Sequence, residues 1–420
     1  MYAPNAPRPL TVAYIVPMGD GLHSFVYREI RELLSMGVNV HLFPTKTGPG
    51  PYEPSASWPV HSARPLAVVA ANVRRLVRCP KRYTKALTEA VVAGALVDFA
   101  LGALVADLVE RHDVHLVHCH FGDHKFFIGH FVGQFTHRPV TVTIHAYELY
   151  NNPNPKMFRY ALLSAAAIVT VSEYNRRVLE REYQVPPDRI RVIPLFAYLP
   201  EGFSPRIPGD RIIILTVARL VEKKGHHSLM RALSKLPQEY EAWIVGQGPL
   251  DVRAMAKAED VENRVRVLGR LDDAQLQEVY RAATIFCLPS ETTPEGDREG
   301  IPVALMEAMA HGLPVVATRH AGIPELVEEI LVDQGDTDKL AGALLQLGRD
   351  PGLRARLGRR NREIVAARFS RRNVLLLKAL FEALASTPSS VGQGPSESSR
   401  NVPEAFANAH SQEECHEVPP

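Results

Sequence analysis

Cysteine is scarce in this chain. Only Cys79, Cys119, Cys287 and Cys415 occur in 420 residues, and none shows C-x-x-C spacing. That excludes a disulfide framework and a cysteine-based zinc site, and it points to a reduced, cytoplasmic interior. An excess of either charge is lacking too: 48 Lys and Arg against 46 Asp and Glu leave a net charge of +2. No bulk field draws such a chain to nucleic acid, and none is expected as a partner. Met1 to Pro9 holds no apolar core of the kind a signal peptide needs. The apolar stretch Ala86 to Val109 is interrupted by Glu89, Asp98 and Asp107, which argues against a membrane-spanning helix. The first strand is not followed by G-x-G-x-x-G, so a dinucleotide is disfavoured and no cofactor is expected.

What is present reads as a soluble globular protein of two or three domains, with 46% hydrophobic and 22% charged residues. Leu10–Pro17 predicts a strand leading to the glycine-bearing loop Met18-Gly19-Asp20-Gly21. A helix from Ser24 to Met36 and a second strand, Val38–Phe43, complete a β-loop-α-β unit. Further strands read at 116–118, 140–144 and 167–171, closing an N-terminal Rossmann-like domain over 1–197. Residues 198–208 read as an interdomain linker, rich in proline. A second doubly wound domain covers 209–365, with strands at 212–217, 242–245, 265–268, 285–288 and 315–317. Residues 366–385 read as a C-terminal helix that crosses back to the first domain. Residues 386–420, rich in Ser, Pro, Gly and Glu, read as a disordered tail.

Two segments of the second half carry chemistry. Ile212–Val217 is a continuous apolar strand of the buried parallel kind, emptying into the basic loop Arg219 to His226. Ligands of doubly wound sheets bind beyond the carboxyl ends of strands, which suits Arg219 and Lys224 to a diphosphate. The run Glu299-Gly300-Ile301-Pro302, followed by an apolar stretch through Glu307 to Ala310, starts a helix near Pro302. Glu299 then lies ahead of the helix and Glu307 within it, while Gly300 lets backbone approach a ligand. A helix N-terminus attracts phosphate, and carboxylates accept hydrogen bonds from sugar hydroxyls. Spacing alone also fits a solvated helix and a solvated basic loop.

Together these segments resemble the family 4 glycosyltransferases, retaining enzymes of the GT-B fold with two Rossmann-like domains facing a cleft. The resemblance is carried by V-A-R-L-V-E-K-K-G-H at 217–226 and E-G-I-P-V-A-L-M-E-A-M-A at 299–310. G-L-P-V-V-A-T at 312–318 and G-I-P-E-L-V at 322–327 extend it. Gly296 to Pro302, with Pro289-Ser290 before it, looks most like the colanic-acid and amylovoran exopolysaccharide branch. The resemblance implies that Arg219 and Lys224 hold the diphosphate of a nucleotide sugar, that Glu299 lies near the transferred sugar, and that Glu307 binds the ribose. Gly300, Ile301 and Gly21 join them in the donor site. One departure stands out: a Gly-containing turn usual after 327 is replaced by Glu328-Glu329 running straight into Ile330-Leu331-Val332.

The first half is expected to take the acceptor, a glycan or polyprenyl-diphosphate-linked sugar. Thr141–Ile144 is a buried strand ending at His145, in a segment similar to the family's T-x-H-G-x-D/E with Ala146 in place of glycine. By resemblance His145 contacts the transferred sugar, and Glu148 contacts the site or orients the loop; a structural histidine is the alternative. The cluster His118-Cys119-His120-Phe121-Gly122-Asp123-His124 has zinc-ligand residue types, but strand alternation points Cys119 away from its neighbours. The family's H-x-H-F segment makes it cleft lining instead. Asp297-Arg298-Glu299 looks superficially like the D-x-D metal motif of another transferase fold. GT-B enzymes hold the leaving diphosphate with cations and a helix dipole, so no metal is expected.

Arg74, Arg75, Arg78, Lys81, Arg82 and Lys85 concentrate six cations ahead of the apolar stretch. They read either as a solvated helix face or as a peripheral contact with the anionic inner face of the plasma membrane. Catalysis requires donors aimed at the charge growing on the leaving diphosphate. No carboxylate nucleophile for a double displacement is evident, and the resemblance implies front-face attack by the acceptor hydroxyl. Other GT-B enzymes, such as a sugar-nucleotide epimerase or a phosphorylase, and a non-catalytic sugar-nucleotide-binding protein are the rival readings. A phosphorylase would need a lysine-bound pyridoxal phosphate and a longer chain, and neither is apparent.

Overall fold

The computed structural model describes residues 9–200 and 211–386. Most of the proline-rich linker and nearly all of the expected tail lie outside the described residues. The first sheet contains β1 (Thr11–Met18), β2 (Asn39–Thr47), β3 (Leu116–His120), β4 (Val140–Ile144), β5 (Ala167–Thr170) and β6 (Ile190–Val192). Its order is β2-β1-β3-β4-β5-β6, with all neighbours parallel. The second contains β7 (Ile212–Val217), β8 (Tyr240–Val245), β9 (Val265–Gly269), β10 (Ile285–Leu288), β11 (Val315–Thr318) and β12 (Leu331–Val332). Its order is β12-β11-β10-β7-β8-β9, again parallel.

Burial on both faces explains the unbroken apolar runs. On β1, Val12, Tyr14 and Val16 enter one core, and Ala13 and Ile15 the other. On β7, Ile214 and Leu215 divide in the same way. Strand order reverses between β1 and β3 and again between β7 and β10, and each reversal opens a crevice at the carboxyl ends of the strands.

The helices of the first half are α1 (Ser24–Ser35), α2 (Pro65–Arg78), α3 (Pro80–Ala93), α4 (Leu96–Arg111), α5 (His124–Thr136), α6 (Tyr147–Tyr150), α7 (Pro155–Ser164) and α8 (Glu173–Glu182). The stretch Ala86 to Val109 is broken at Gly94, whose φ of 67° ends α3 in the left-handed region. Among the described residues no helix is long and apolar enough to cross a membrane.

The basic segment is less free than its composition suggests. Arg75 is buried, 2.9 Å from Asp107 and 2.9 Å from Glu110 on α4. Arg74 lies 2.7 Å from Asp107, and Arg82 donates to the Phe135 carbonyl at 2.9 Å. Three of the six cations therefore hold α2 and α3 to their neighbours, because charges near a core need partners. Arg78, Lys81 and Lys85 remain exposed.

The second half continues through α9 (His226–Ser234), α10 (Val252–Ala258), α11 (Asp273–Ala282), α12 (Val303–Ala310), α13 (Thr337–Arg349), α14 (Pro351–Arg368) and α15 (Arg372–Ser386). Val374, Leu377 and Phe381 share one face of α15 and pack among Val12, Tyr14 and Ile30 of the first domain. Burying such side chains contributes roughly 1.5–3 kcal/mol each, which fastens the last helix back across the first sheet. Glu328 and Glu329, at the shortened turn, reach Arg360 and Arg356 of α14 at 3.1 and 2.8 Å.

Candidate active site

The carboxyl ends of β4 and β7 bring the two halves face to face. His145 follows β4, and its ring packs 4.7 Å from Phe121 and 4.8 Å from Phe25, measured between centroids. Its Nε2 lies 3.3 Å from His120 Nδ1, while His120 Nε2 lies 2.9 Å from Glu29 Oε1, which also accepts from Tyr14 OH at 2.9 Å. Burial, then the neighbouring His120, holds His145 well below the usual histidine range, so its ring is neutral. Glu148 is fully buried and does not face the cleft. Its carboxylate accepts the backbone N–H groups of Gly122, His145 and Ala146 at 3.2, 2.8 and 3.1 Å and so shapes the loop.

Across the cleft, Lys224 Nζ sits 2.7 Å from Glu299 Oε1. Burial alone would raise the Glu299 carboxyl, but Lys224 and then Lys223 outweigh it and hold the group below its ordinary value. The Glu299 N–H donates to His320 Nε2 at 3.0 Å. Lys223 reaches Asp297 at 3.0 Å and the Arg298 carbonyl at 3.2 Å, so both carboxylates of the Asp297-Arg298-Glu299 run face lysines. Arg219 is exposed at the end of β7. Its charge is among those that help burial hold His23 down at about 4.

Gly300 is set by a close approach. A Cβ there would stand 2.7 Å from the His145 carbonyl oxygen, so only glycine lets the 299–301 loop pass the end of β4. Ile301 is buried behind it, and Pro302 caps α12. Glu307, inside α12, pairs with Arg28 of α1 at 2.6 Å and accepts from Tyr280 OH at 3.1 Å. Gly21, with φ of 73°, packs against Gly50 and the Tyr52 carbonyl beside the cleft. Glu325 closes the other side, accepting the N–H groups of Glu173 and Tyr174 at the start of α8 at 2.8 and 2.6 Å. A carboxylate at a helix N-terminus is favoured by the dipole.

His118, Cys119 and His124 do not converge. His118 bonds Thr141 at 2.8 Å and Thr143 at 3.2 Å, Cys119 is buried on the opposite face, and His124 pairs with Asp98 at 3.0 Å. Glu29, His118 and His120 stand close together, but each ring nitrogen already has a protein partner. Sequence reading missed Arg28, Glu29, Lys223 and His320. The K-K pair at 223–224 was the one local signal available; the others enter through tertiary contact.

Residues 19–197 match the family model described as Glycosyltransferase Family 4, and residues 201–364 match Glycosyl transferases group 1. The chain belongs to the glycosyltransferases. Over 144 residues it is 45% identical to the amylovoran biosynthesis glycosyltransferase AmsK of Erwinia amylovora, covering 32% of this chain and 35% of that one. Over 154 residues it is 42% identical to the putative colanic acid biosynthesis glycosyltransferase WcaL of Escherichia coli K12, covering 34% and 38%. The matched region thus spans little more than a third of these relatives' length. Among solved structures, sucrose-phosphate synthase of Thermosynechococcus elongatus superposes with a TM-score of 0.70 at 21% identity, covering 89% of this chain and 99% of that one. Anabaena Alr3699/HepE, solved in complex with UDP-glucose, gives 0.68 at 18% identity, covering 90% and 100%. The fold of this glycosyltransferase is GT-B.

Proposed function

We propose that the protein is a retaining glycosyltransferase that moves a sugar from a nucleotide-diphosphate donor to a glycan or polyprenyl-diphosphate-linked acceptor during exopolysaccharide synthesis. The convergence of Lys224, Glu299 and the Gly300 loop upon His145 carries this reading, since it joins an anion-binding edge to hydroxyl-binding groups. Arg219 and Lys224 hold the diphosphate and stabilise the charge that grows as the glycosidic bond breaks. Glu299, kept ionised by Lys224, accepts sugar hydroxyls, as does the neutral His145. Glu307 takes the ribose. The acceptor hydroxyl attacks the anomeric carbon on the face the phosphate leaves, and its proton passes to the departing phosphate oxygen.

Metal independence at this centre is supported by the lysines that occupy Asp297 and Glu299. An open hollow of about 590 Å³ beside Gly21, lined by Met18, Thr47, Glu53 and Trp58, supports acceptor binding in the first half. Peripheral contact with the inner membrane face is supported by Leu66, Val69, Val73 and Val77, an exposed apolar stripe on α2 next to Arg78, Lys81 and Lys85. The names of the exopolysaccharide relatives support the pathway class.

A panel of nucleotide sugars varied in base and sugar, assayed for transfer and slow hydrolysis with the product anomer read by NMR, tests the function. Retained configuration from one donor is expected. An inverted product, epimerised donor, or no turnover of any donor would overturn it.

A further inference from the structure

Far from the cleft, three histidines from separate segments meet at the outer edge of the first sheet. His41 lies on β2, His61 on the strap that follows it, and His112 at the end of α4. The strap is joined to β2 by two backbone bonds: Leu42 N–H donates to Pro59, and His61 N–H to Leu42, both at 2.8 Å. The His41 and His61 rings are parallel to within 2° at 5.2 Å, and the His112 ring stands 4.9 and 4.8 Å from them. His41 Nδ1 is 2.9 Å from His61 Nε2, and ligand nitrogens from all three rings lie within 4.8 Å of one another.

The neutral imidazole is the form that binds a metal, and three such rings from three segments converge here. Zinc bound by nitrogen at about 2.0–2.1 Å in a tetrahedron needs nitrogens roughly 3.3 Å apart, inside the spread found here. We propose that His41, His61 and His112 bind a divalent transition-metal ion, zinc by preference, with its fourth position left to water or a small ligand.

Such an ion has a structural use. His41 is six residues before the end of β2, about 20 Å from the carboxyl-end crevice at the rise of an extended strand, so it stands outside the transfer chemistry. It would pin the strap and the end of α4 to the edge strand. The same strap carries Tyr52, whose carbonyl takes the Leu22 N–H at 2.8 Å and whose hydroxyl reaches Asp273 of the second domain. Metal at one end therefore orders a segment that touches the interdomain cleft at the other.

The full chain, without an affinity tag and stripped by chelator, is titrated with ZnCl₂ by calorimetry and with Co²⁺ by absorption and X-ray absorption. One ion per chain with three imidazole nitrogens is expected, with a rise in Tm that EDTA reverses. H112Q and H61Q should each weaken binding on the order of 100-fold, the loss of one of three ligands. H118Q should leave stoichiometry unchanged. EDTA should lower Tm without changing kcat at 25 °C, which separates this site from a metal-dependent transfer reaction. The unaltered protein decides the matter even where a variant fails to fold: no stoichiometric binding, or fewer than three imidazoles on cobalt, overturns the proposal. So does binding that survives H41Q/H61Q/H112Q.

Discussion

Arg28 on α1 and Glu307 on α12, 279 residues apart, form a 2.6 Å ion pair that crosses from one domain to the other. Burial works against the Arg28 charge, but Glu307 outweighs it and raises the guanidinium above its ordinary value. The carboxylate expected to bind the donor ribose is thus also a clasp between the domains, with Tyr280 on its second oxygen.

Arg28→Ala and Glu307→Gln should each raise the donor KM, with kcat far less affected. Loss of one charge-assisted bond of about 1.5–3 kcal/mol corresponds to roughly tenfold to a hundredfold. The double variant should lose less than the sum, because each partner acts through the other. Initial rates over a donor series measure this, and strict additivity would mean that the two residues act separately.

Arg219→Ala and Lys224→Ala should weaken nucleoside-diphosphate binding and lower turnover, by about 1.5–3 kcal/mol each. Glu299→Gln should damage kcat more than binding. Without Lys224 the buried Glu299 loses the partner that lowers its pKa. The acid limb of the rate profile should therefore move to higher pH in Lys224→Ala. Calorimetry and pH–rate curves check both points, and an unmoved acid limb would separate Glu299 from the lysine.

Gly300→Ala should impair transfer while leaving each sheet intact. The new Cβ would meet the His145 carbonyl at 2.7 Å, and the obstacle is backbone, so the 299–301 loop must shift. Displacement of an ångström at a reacting centre costs on the order of 100-fold in rate. Circular dichroism and kcat distinguish this from unfolding; full activity would show that the loop relaxes freely.

Stability should fall as pH drops from 6.5 toward 4. His23 and His61 titrate near 4 in the folded protein against an ordinary value of 6.5. Their neutral rings contribute stability that is complete above 6.5 and is lost as the unfolded chain takes up protons first. Urea midpoints at pH 7.5, 5.5 and 4.5, without zinc, should decline, and His61→Asn should flatten part of the slope.

Binding to liposomes should require anionic lipid and weaken with salt, as the screening length drops from about 10 Å at 0.1 M to about 3 Å at 1 M. Lys81→Gln with Lys85→Gln, or Val73→Asp with Val77→Asp, should release the protein. Arg75→Gln should instead lower Tm, since it removes the partner of Glu110 and leaves Asp107 with Arg74 alone. Flotation with neutral and anionic vesicles gives the answer, and equal binding to both would remove the electrostatic account.

From local order alone the architecture could be read, because strands buried on both faces print unbroken apolar runs such as Ile212–Val217, and turns print glycine and proline. β6 and β12, of three and two residues, are too short to show any period, and they appear only by pairing with β5 and β11. Arg219, Lys224, Glu299 and Glu307 stood out because two short motifs hold them at set positions around strand and helix ends. Their partners did not. Arg28 on Glu307, His120 on His145 and His320 beneath Glu299 meet across separations of 279, 25 and 21 residues. The same holds for His41, His61 and His112, and for the arginines of the basic segment that turned inward to carboxylates on α4. Spacing along a chain reports which face of an element a residue occupies, whereas which charges and rings then touch is decided by how the sheets and helices pack.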